Sequence, residues 1–251
     1  MSTSPSSRPP VLALDTATEQ IAVGLHTGLA QHTAVAAGGA AASTRLLPEL
    51  QALLSQAGLA WRDVRAIAFG QGPGAFTGLR TACAVAQGLA WGLGCRLYPI
   101  DSLMVVAEDA RWQVLPDGSD LDVAVLMDAR MDEIYAANYR WQQGAWQVLQ
   151  APALCSLAVI QAQWTHFEPS LVAGSALHAF GDRLVLPVAS QRCAQEHDRA
   201  AALLRLAVAA VADGHGVPPA DALPLYLRDK VAQTTAERAQ IKDNAVRAVS
   251  P

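Results

Sequence analysis

The hydrophobic positions of the chain fall into short apolar runs and helical stripes, with polar or glycine-rich turns between them. Val11–Asp15 is apolar and ends on an acid, and residues 21–25 and 31–36 have the composition of two further strands. Leucines recur at the helical period between residues 46 and 54, and residues 199–212 form another strongly helical run. This alternation of strands and helices predicts an α/β protein.

A second copy of the opening pattern lies near the middle of the chain. Residues 123–128 are again an apolar strand that ends on an acid, and residues 134–139 form the strand that follows. One constant offset places Asp15 on Asp128, Glu19 on Asp132 and Ile21 on Ile134. Such a repeat indicates a duplicated unit. Two strand–Asp–hairpin units, each followed by helices, predict the actin-like, ribonuclease H-type (ASKHA) fold, with a mixed sheet and helices in each of two lobes.

The duplication also predicts the domain organisation. We expect residues 11–106 to form the N-terminal lobe and residues 107–235 the C-terminal lobe, with the boundary inside a helix that begins near Ser102. The last segment of the C-terminal lobe is expected to pack back on the N-terminal lobe. Residues 1–10, rich in serine and proline, are predicted to be a disordered tail, and residues 236–251 a flexible one.

A glycine-rich loop stands between an apolar run, residues 64–69, and a helical pattern, residues 81–93. Strand, glycine loop and helix in this order often bind a phosphate at the helix N-terminus. Here the loop lacks the lysine of a P-loop, and Pro73 removes one backbone donor. A tight turn is therefore favoured over a phosphate site. The residues predicted to shape it are Gly72, Pro73, Gly74 and Gly78.

The helix after this loop has an unusual face of small residues. They recur every fourth position, at Gly78, Ala82, Ala86 and Ala90, so they form one continuous strip. Two interpretations are open at this point: the strip packs against the helix's own sheet, or it is a docking face for a partner helix. On the second interpretation the leucine helix completes the partner interface with Leu46, Leu50 and Leu53.

The two acids at the strand ends, Asp15 and Asp128, would face each other across the cleft of an actin-like fold. Nucleotide-binding members of that fold have a glycine in the first turn, where this chain has Ala17. The second turn has no glycine and three acids, which would repel a triphosphate. We therefore interpret Asp15 and Asp128 as residues that cap their turns and line a vestigial cleft.

Metal and hydrolase chemistry have no recognisable motif. No two of the six histidines are four residues apart, and there is no H-E-x-x-H or G-x-S-x-G sequence. The four cysteines contain no C-x-x-C pair, which is typical of reduced thiols in a cytosolic protein. The sequence nominates no catalytic residue, no metal ligand and no cofactor.

Composition narrows the function classes further. The chain has 251 residues, 52% of them hydrophobic and 16% charged, as expected of a well-cored globular protein. Its formal net charge of −4 gives no basic surface of the kind that grips nucleic acid unaided. No apolar run reaches the roughly 18 residues of a membrane span, and the N-terminus lacks the apolar core of a signal peptide. A cytoplasmic location is expected.

Four blocks of sequence together resemble one family. They are residues 11–18 (VLALDTAT), 72–80 (GPGAFTGLR), 127–130 with 133–135 (MDAR, EIY), and 224–228 with 231–232 (PLYLR, VA). In this order they are similar to the TsaB (YeaZ) family, over roughly residues 10–233. One departure is Ala42, where members often have a histidine before the serine of the leucine helix.

The resemblance implies an actin-like fold and a role in making N6-threonylcarbamoyladenosine, the modified base beside the anticodon of tRNAs that read ANN codons. It implies a non-catalytic scaffold that forms a heterodimer with a TsaD-type transferase subunit, works with a TsaE-type ATPase, and forms homodimers when alone. Contact with tRNA is at most indirect. The family pairs through the leucine helix and the helix after the glycine loop, which favours the docking interpretation of the strip.

The related TsaD subunit holds a metal with two histidines four residues apart, and this comparison tests for a metal site. Aligned from Gly72, those histidines fall on Ser102 and Val106. Valine has no lone pair to offer a metal, and serine is a weak ligand. The alternatives from other classes are an actin-like ATPase or sugar kinase and a metallopeptidase. No role is assigned to the block at residues 226–228.

Overall fold

The computed structural model of the protein describes residues 9–228 and contains two five-stranded mixed sheets. Most of the predicted tail at residues 1–10 and all of the predicted tail at residues 236–251 lie outside the described residues. The first sheet has the order β3-β2-β1-β4-β5, with β1 antiparallel to β2 and parallel to β4. Its strands are β1 (Val11–Asp15), β2 (Gln20–His26), β3 (Gln31–Ala37), β4 (Ala66–Gly72) and β5 (Arg96–Asp101).

The second sheet repeats the topology of the first. Its order is β10-β9-β6-β7-β8, with β6 antiparallel to β7 and parallel to β9. Counted from its own first strand, each sheet therefore has the same neighbours in the same directions, which confirms the duplicated α/β fold. The strands are β6 (Leu121–Asp128), β7 (Glu133–Gln142), β8 (Ala145–Ser156), β9 (Leu171–Ala173) and β10 (Gln191–Cys193).

The two Asp-bearing hairpins differ by one residue. Asp15 lies opposite Ala22, whereas Asp128 lies opposite Ile134, so the second hairpin is one residue shorter than a constant offset predicts. The match of Ile21 with Ile134 is therefore one residue out of register. The shorter turn bends through three successive residues with positive φ, a conformation that side chains other than glycine rarely adopt. These are Arg130 (φ 64°), Met131 (φ 56°) and Asp132 (φ 61°).

Two helices cover one face of the first sheet and a third covers the other. Helices α1 (Ala42–Gln56) and α2 (Phe76–Leu93) pack on the side of Leu12 and Leu14. On the opposite side, the alternate residues of β1 pack against α6 (Arg199–Asp213). The chain thus returns to the first lobe after the strands of the second. From the sequence, only the last segment of the C-terminal lobe is expected to do so. The boundary near residue 106 stays a prediction.

Helix α3 (Ser102–Val114) lies between the lobes, since Val105 belongs to the core around α6 and Leu103 to the core of the second sheet. Two short helices, α4 (Leu157–Gln163) and α5 (Ala176–Phe180), cover the outer face of the second sheet. Within residues 9–228 no helix combines the length and the apolar character needed to cross a membrane.

Candidate functional site

The glycine loop is held tightly against the turn that follows β1. A Cβ on Gly74 would lie 2.5 Å from the carbonyl oxygen of Ala17, and one on Gly78 would collide with the carbonyl of Thr16. Hydrogen bonds join the two loops: Ala75 N donates to Ala17 O (2.8 Å), and Thr16 Oγ1 donates to Gly78 O (2.7 Å). These glycines therefore permit the close approach of two backbones.

Two backbone N–H groups of the loop are engaged within the protein. Gly72 N donates to Ser102 Oγ (3.1 Å), and Ala75 N is bonded to Ala17 as described. Pro73, which follows a cis peptide bond from Gly72, has no N–H to offer. The loop therefore turns the chain and uses the N–H groups of Gly72 and Ala75 to hold its own shape.

The predicted docking strip is buried, and the prediction that it is an accessible face is wrong for this conformation. Its members line the core between α2 and the first sheet, where small side chains let the helix lie close to the strands. The three leucines predicted to complete the interface are in the same core, each no more than 2% exposed. The buried residues are Gly78, Ala82, Ala86, Ala90, Leu46, Leu50 and Leu53.

The opposite faces of α1 and α2 form an open apolar groove, which we call the α1–α2 groove. Leu47, which lines the groove, is 45% exposed, and Trp91, on α2 next to the lining residue Gly92, is 66% exposed. A Cβ on Gly88 or Gly92 would meet nothing within 4 Å, so neither glycine is required by internal packing. The groove has a volume of about 540 Å³ and is lined by Leu47, Pro48, Gln51, Trp61, Gly88, Leu89, Gly92 and Leu93.

The sequence contains one signal for this groove, a glycine inside helix α2, that the four-residue spacing of the buried strip does not include. Glycine inside a helix costs about 1 kcal/mol relative to alanine, so Gly88 needs a reason to be there. An exposed tryptophan, Trp91, stands one turn away on the same helix. Gly88 and Gly92 thus form a second line of small residues on α2, turned away from the sheet, with Trp91 beside it.

Asp15 forms a buried ion pair that the sequence did not indicate. Its Oδ2 accepts from Arg199 Nη2 (2.9 Å), and the two side chains are 0% and 4% exposed. Its Oδ1 accepts from Ala17 N (2.5 Å), so it also caps its turn. Burial opposes the charge of Arg199, but the carboxylates of Asp15 and Glu196 outweigh it and raise the pKa of the guanidinium. The charge of Asp15 is thus neutralised within the protein.

Asp128 is more exposed than Asp15, and its hydrogen bonds are to residues of the second lobe. Its Oδ1 accepts from Arg130 N (2.8 Å), and its own N–H donates to Ser175 Oγ (3.0 Å). Asp132, in the same turn, forms a two-pronged ion pair with Arg183 (2.7 and 2.8 Å), which lowers the pKa of this carboxyl. Asp128 and Asp132 are therefore satisfied by neighbours in their own lobe.

The positions aligned with the TsaD metal ligands are structural. Val106 is 2% exposed and packs in the core of the second lobe. Ser102 accepts from Gly72 N, and its hydroxyl lies 3.5 Å from Asp15 Oδ2. Among residues 9–228, no three His, Cys, Asp or Glu side chains are grouped so that they could hold a metal ion.

Helix α3 carries buried polar groups that join the lobes and that pattern analysis missed. Asp101 caps the helix through Leu103 N (2.9 Å) and accepts from Tyr139 OH (2.6 Å) of β7. Burial outweighs these hydrogen bonds and raises the pKa of Asp101. Glu108, 2% exposed, pairs with Arg111 on its own helix and with Arg205 on α6.

Comparison with known proteins gives the family. A sequence model of the family described as TsaD, tRNA N6-adenosine threonylcarbamoyltransferase, matches residues 38–233. The tRNA threonylcarbamoyladenosine biosynthesis protein TsaB of Escherichia coli K12 is 30% identical over 236 residues, which are 88% of this chain and 96% of that protein. The chain belongs to the TsaB (YeaZ) family.

Other members agree with this assignment. TsaB of Haemophilus influenzae is 38% identical over 126 residues, about half of each protein. The structure of YeaZ from Pseudomonas aeruginosa superposes with a TM-score of 0.75 at 36% identity, over 88% of this chain and all of that one. A second Pseudomonas aeruginosa structure, described as an uncharacterized protein similar to peptidase YeaZ, gives a TM-score of 0.77 at 35% identity. The fold is thus the duplicated ASKHA-like α/β fold that the TsaB family resemblance implied.

Proposed function

We propose that the chain is a non-catalytic subunit in the biosynthesis of tRNA N6-threonylcarbamoyladenosine. It binds a TsaD-type transferase as a heterodimer, works in the cytoplasm with a TsaE-type ATPase, and forms homodimers when alone. The support is its similarity to TsaB over nearly the whole length of the Escherichia coli protein, whose name states that pathway. With a net charge of −4, it meets tRNA at most indirectly.

The observation that carries the partner-binding role is the α1–α2 groove. Exposed apolar surface rimmed by polar residues is typical of protein–protein contacts. Bare backbone at Gly88 and Gly92 lets a partner helix approach closely, and Trp91 offers the large aromatic surface that often dominates binding energy. This groove replaces the buried strip as the proposed contact, on the same two helices.

The non-catalytic role rests on what the cleft residues already do. Asp15 is neutralised by Arg199, the N–H groups of Gly72 and Ala75 donate to Ser102 and Ala17, and a valine stands at one aligned ligand position. These residues therefore hold the fold, which supports a non-catalytic role. Stoichiometric, tight ATP binding by the isolated chain would instead support the actin-like ATPase alternative.

The experiment is co-elution of Gly88→Arg with the TsaD-type subunit in size-exclusion chromatography. A Cβ at position 88 meets nothing within 4 Å, so the new side chain begins in open space, and we expect the fold to be retained while the arginine in the groove excludes the partner. The expected result is at least a tenfold weaker heterodimer and loss of threonylcarbamoylation by the reconstituted complex. Ala158→Arg, an exposed position on α4 in the second lobe, is the charge control. Undiminished co-elution of Gly88→Arg would overturn the proposed contact.

A further inference from the structure

Residues 222–228, which we call the strap, run from the first lobe to the second without regular secondary structure. The strap begins on α2, where the carbonyl of Ala222 accepts from Gln87 Nε2 (3.0 Å) and Cys83 Sγ (3.4 Å). Its main chain then reaches the glycine loop, where Leu225 N donates to Gln71 O (2.7 Å). The first part of the strap is thus anchored on the first lobe by its backbone.

Tyr226 strengthens this anchor with its side chain. Its ring packs on Phe76, the first residue of α2, with 4.8 Å between ring centroids. Its hydroxyl accepts from Arg80 Nε (3.1 Å), and the same guanidinium lies 3.8 Å above the Phe76 ring. An aromatic pair and a cation–π contact each contribute on the order of 0.5–1 kcal/mol. The described contacts of Tyr226 all lie in the first lobe.

Two residues later the strap is bound to the second lobe. Arg228 forms an ion pair with Glu133, donates to Arg130 O (3.3 Å) and lies 3.2 Å from Met131 Sδ. Its side chain is 18% exposed, so these contacts are partly shielded from water. All three partners belong to the shorter hairpin whose residues 130–132 have positive φ.

The two anchors lie close together in the chain. Two residues lie between Leu225 and Arg228, and the three Cα-to-Cα steps that join them span at most about 11 Å. The glycine loop is also shaped to receive the strap, because a Cβ on Gly72 would lie 2.9 Å from the carbonyl oxygen of Leu225. The glycine at position 72 therefore has a role in the close approach of the strap as well as in the turn.

We propose that the strap is an intramolecular latch that holds the two lobes at a fixed opening. It ties the glycine loop of the first lobe to the β6–β7 hairpin of the second, across the cleft between the Asp-bearing turns. Because both anchors are on one short segment, each raises the effective concentration of the other. Releasing one anchor therefore weakens the other, although the two lie on different lobes. This coupling assigns a role to the family block at residues 226–228, independently of the proposed partner.

Amide hydrogen exchange of the full chain tests the latch through this coupling. Tyr226→Ala removes a first-lobe anchor and is expected to speed exchange at least tenfold at Ala129, Arg130 and Glu133, whose N–H groups are hydrogen-bonded within the second-lobe hairpin. Arg228→Ala removes the second-lobe anchor and is expected to speed exchange of the Leu225 N–H, which is bonded to the first lobe. The control is Arg183→Ala, which removes an ion pair to the same hairpin from within the second lobe. It is expected to leave Leu225 unchanged.

Effects confined to the lobe that lost its anchor would overturn the proposal. If Tyr226→Ala speeds exchange throughout the chain, substitutions at the ion pair between Arg228 and Glu133 test the proposal instead. Glu133→Arg places two cations together and is expected to release Leu225, and the exchanged pair Glu133→Arg with Arg228→Glu is expected to recover most of the lost protection. A double variant that exchanges as fast as Glu133→Arg alone would also contradict a latch.

Discussion

Arg199, at the start of α6, forms an ion pair with Asp15, at the end of β1, with 2.9 Å between Nη2 and Oδ2. The partners are 184 residues apart in the chain. Arg199 also binds Glu196 through Nη1 (2.6 Å), while its Nε has no hydrogen-bond partner among the described residues. This pair fixes the start of the returning helix against the central strand of the first sheet.

The ion pair predicts an asymmetry between single and double substitutions. Arg199→Met leaves the Asp15 carboxylate buried without its partner, which typically costs about 3–5 kcal/mol. Asp15→Asn combined with Arg199→Met removes both charges, so we expect the double variant to be more stable than the Arg199 variant. Urea denaturation at neutral pH measures both. A double variant with the summed loss of the two single ones would show that the partners act independently.

The buried strip predicts a different outcome for arginine at neighbouring positions of α2. Ala86 is 0% exposed, so Ala86→Arg forces a charged side chain into the core between the helix and the sheet. We expect a loss of several kcal/mol in the free energy of unfolding, or no folded protein. Gly88→Arg, two residues further, is expected to fold normally. Thermal unfolding followed by circular dichroism compares them, and equal melting temperatures would contradict the buried orientation of the strip.

These two positions also show what the sequence could and could not predict. Periodicity correctly found a small-residue face at every fourth position of α2, and the repeat of Asp15 and Asp128 found the duplicated fold. Spacing alone cannot say whether the sheet of the same chain or another protein covers such a face. Here the short loop from β4 turns the strip onto the sheet, where Ala82 and Ala90 pack with no exposed surface.

Long-range polar partners were beyond sequence reasoning for a related reason. Arg199 begins a mostly apolar helix, and Glu108 lies within one. From the sequence alone, a charged side chain at such a position is expected to face water, because its buried partner comes from a distant part of the chain. Strand β8 was missed because its side chains do not alternate cleanly between buried and exposed, and because Pro152 interrupts the pattern. Tertiary contacts therefore decided β8 and the pairing of these two charged side chains.

Asp101 predicts a dependence of stability on pH. Burial raises its pKa above the ordinary value of 3.8, so the folded state binds the proton more tightly than the unfolded state. As far as this group is concerned, the free energy of unfolding is therefore highest below pH 3.8. It falls as the pH rises through the folded-state pKa of Asp101. Asp101→Asn keeps an oxygen to cap α3 but has no proton to lose.

We expect the Asp101→Asn variant to lack the fall in unfolding free energy that ionisation of Asp101 causes in the parent chain. Urea denaturation over a pH series that starts below 3.8 and extends to neutrality compares it with the parent chain. The difference in unfolding free energy between the two proteins should change in favour of the variant as the pH rises. A difference that stays constant over the series would contradict a raised pKa at Asp101.

Gly88 links stability to the proposed contact in one substitution. Gly88→Ala adds a methyl group that meets nothing within 4 Å, and alanine is favoured over glycine in a helix interior by about 1 kcal/mol. We therefore expect the variant to unfold at higher temperature than the parent chain. The same methyl group narrows the α1–α2 groove, so binding of the TsaD-type subunit should weaken, as measured by titration calorimetry. A glycine that lowers stability is explained if it improves contact with a partner. A variant that gains both stability and affinity would show that Gly88 does not serve docking.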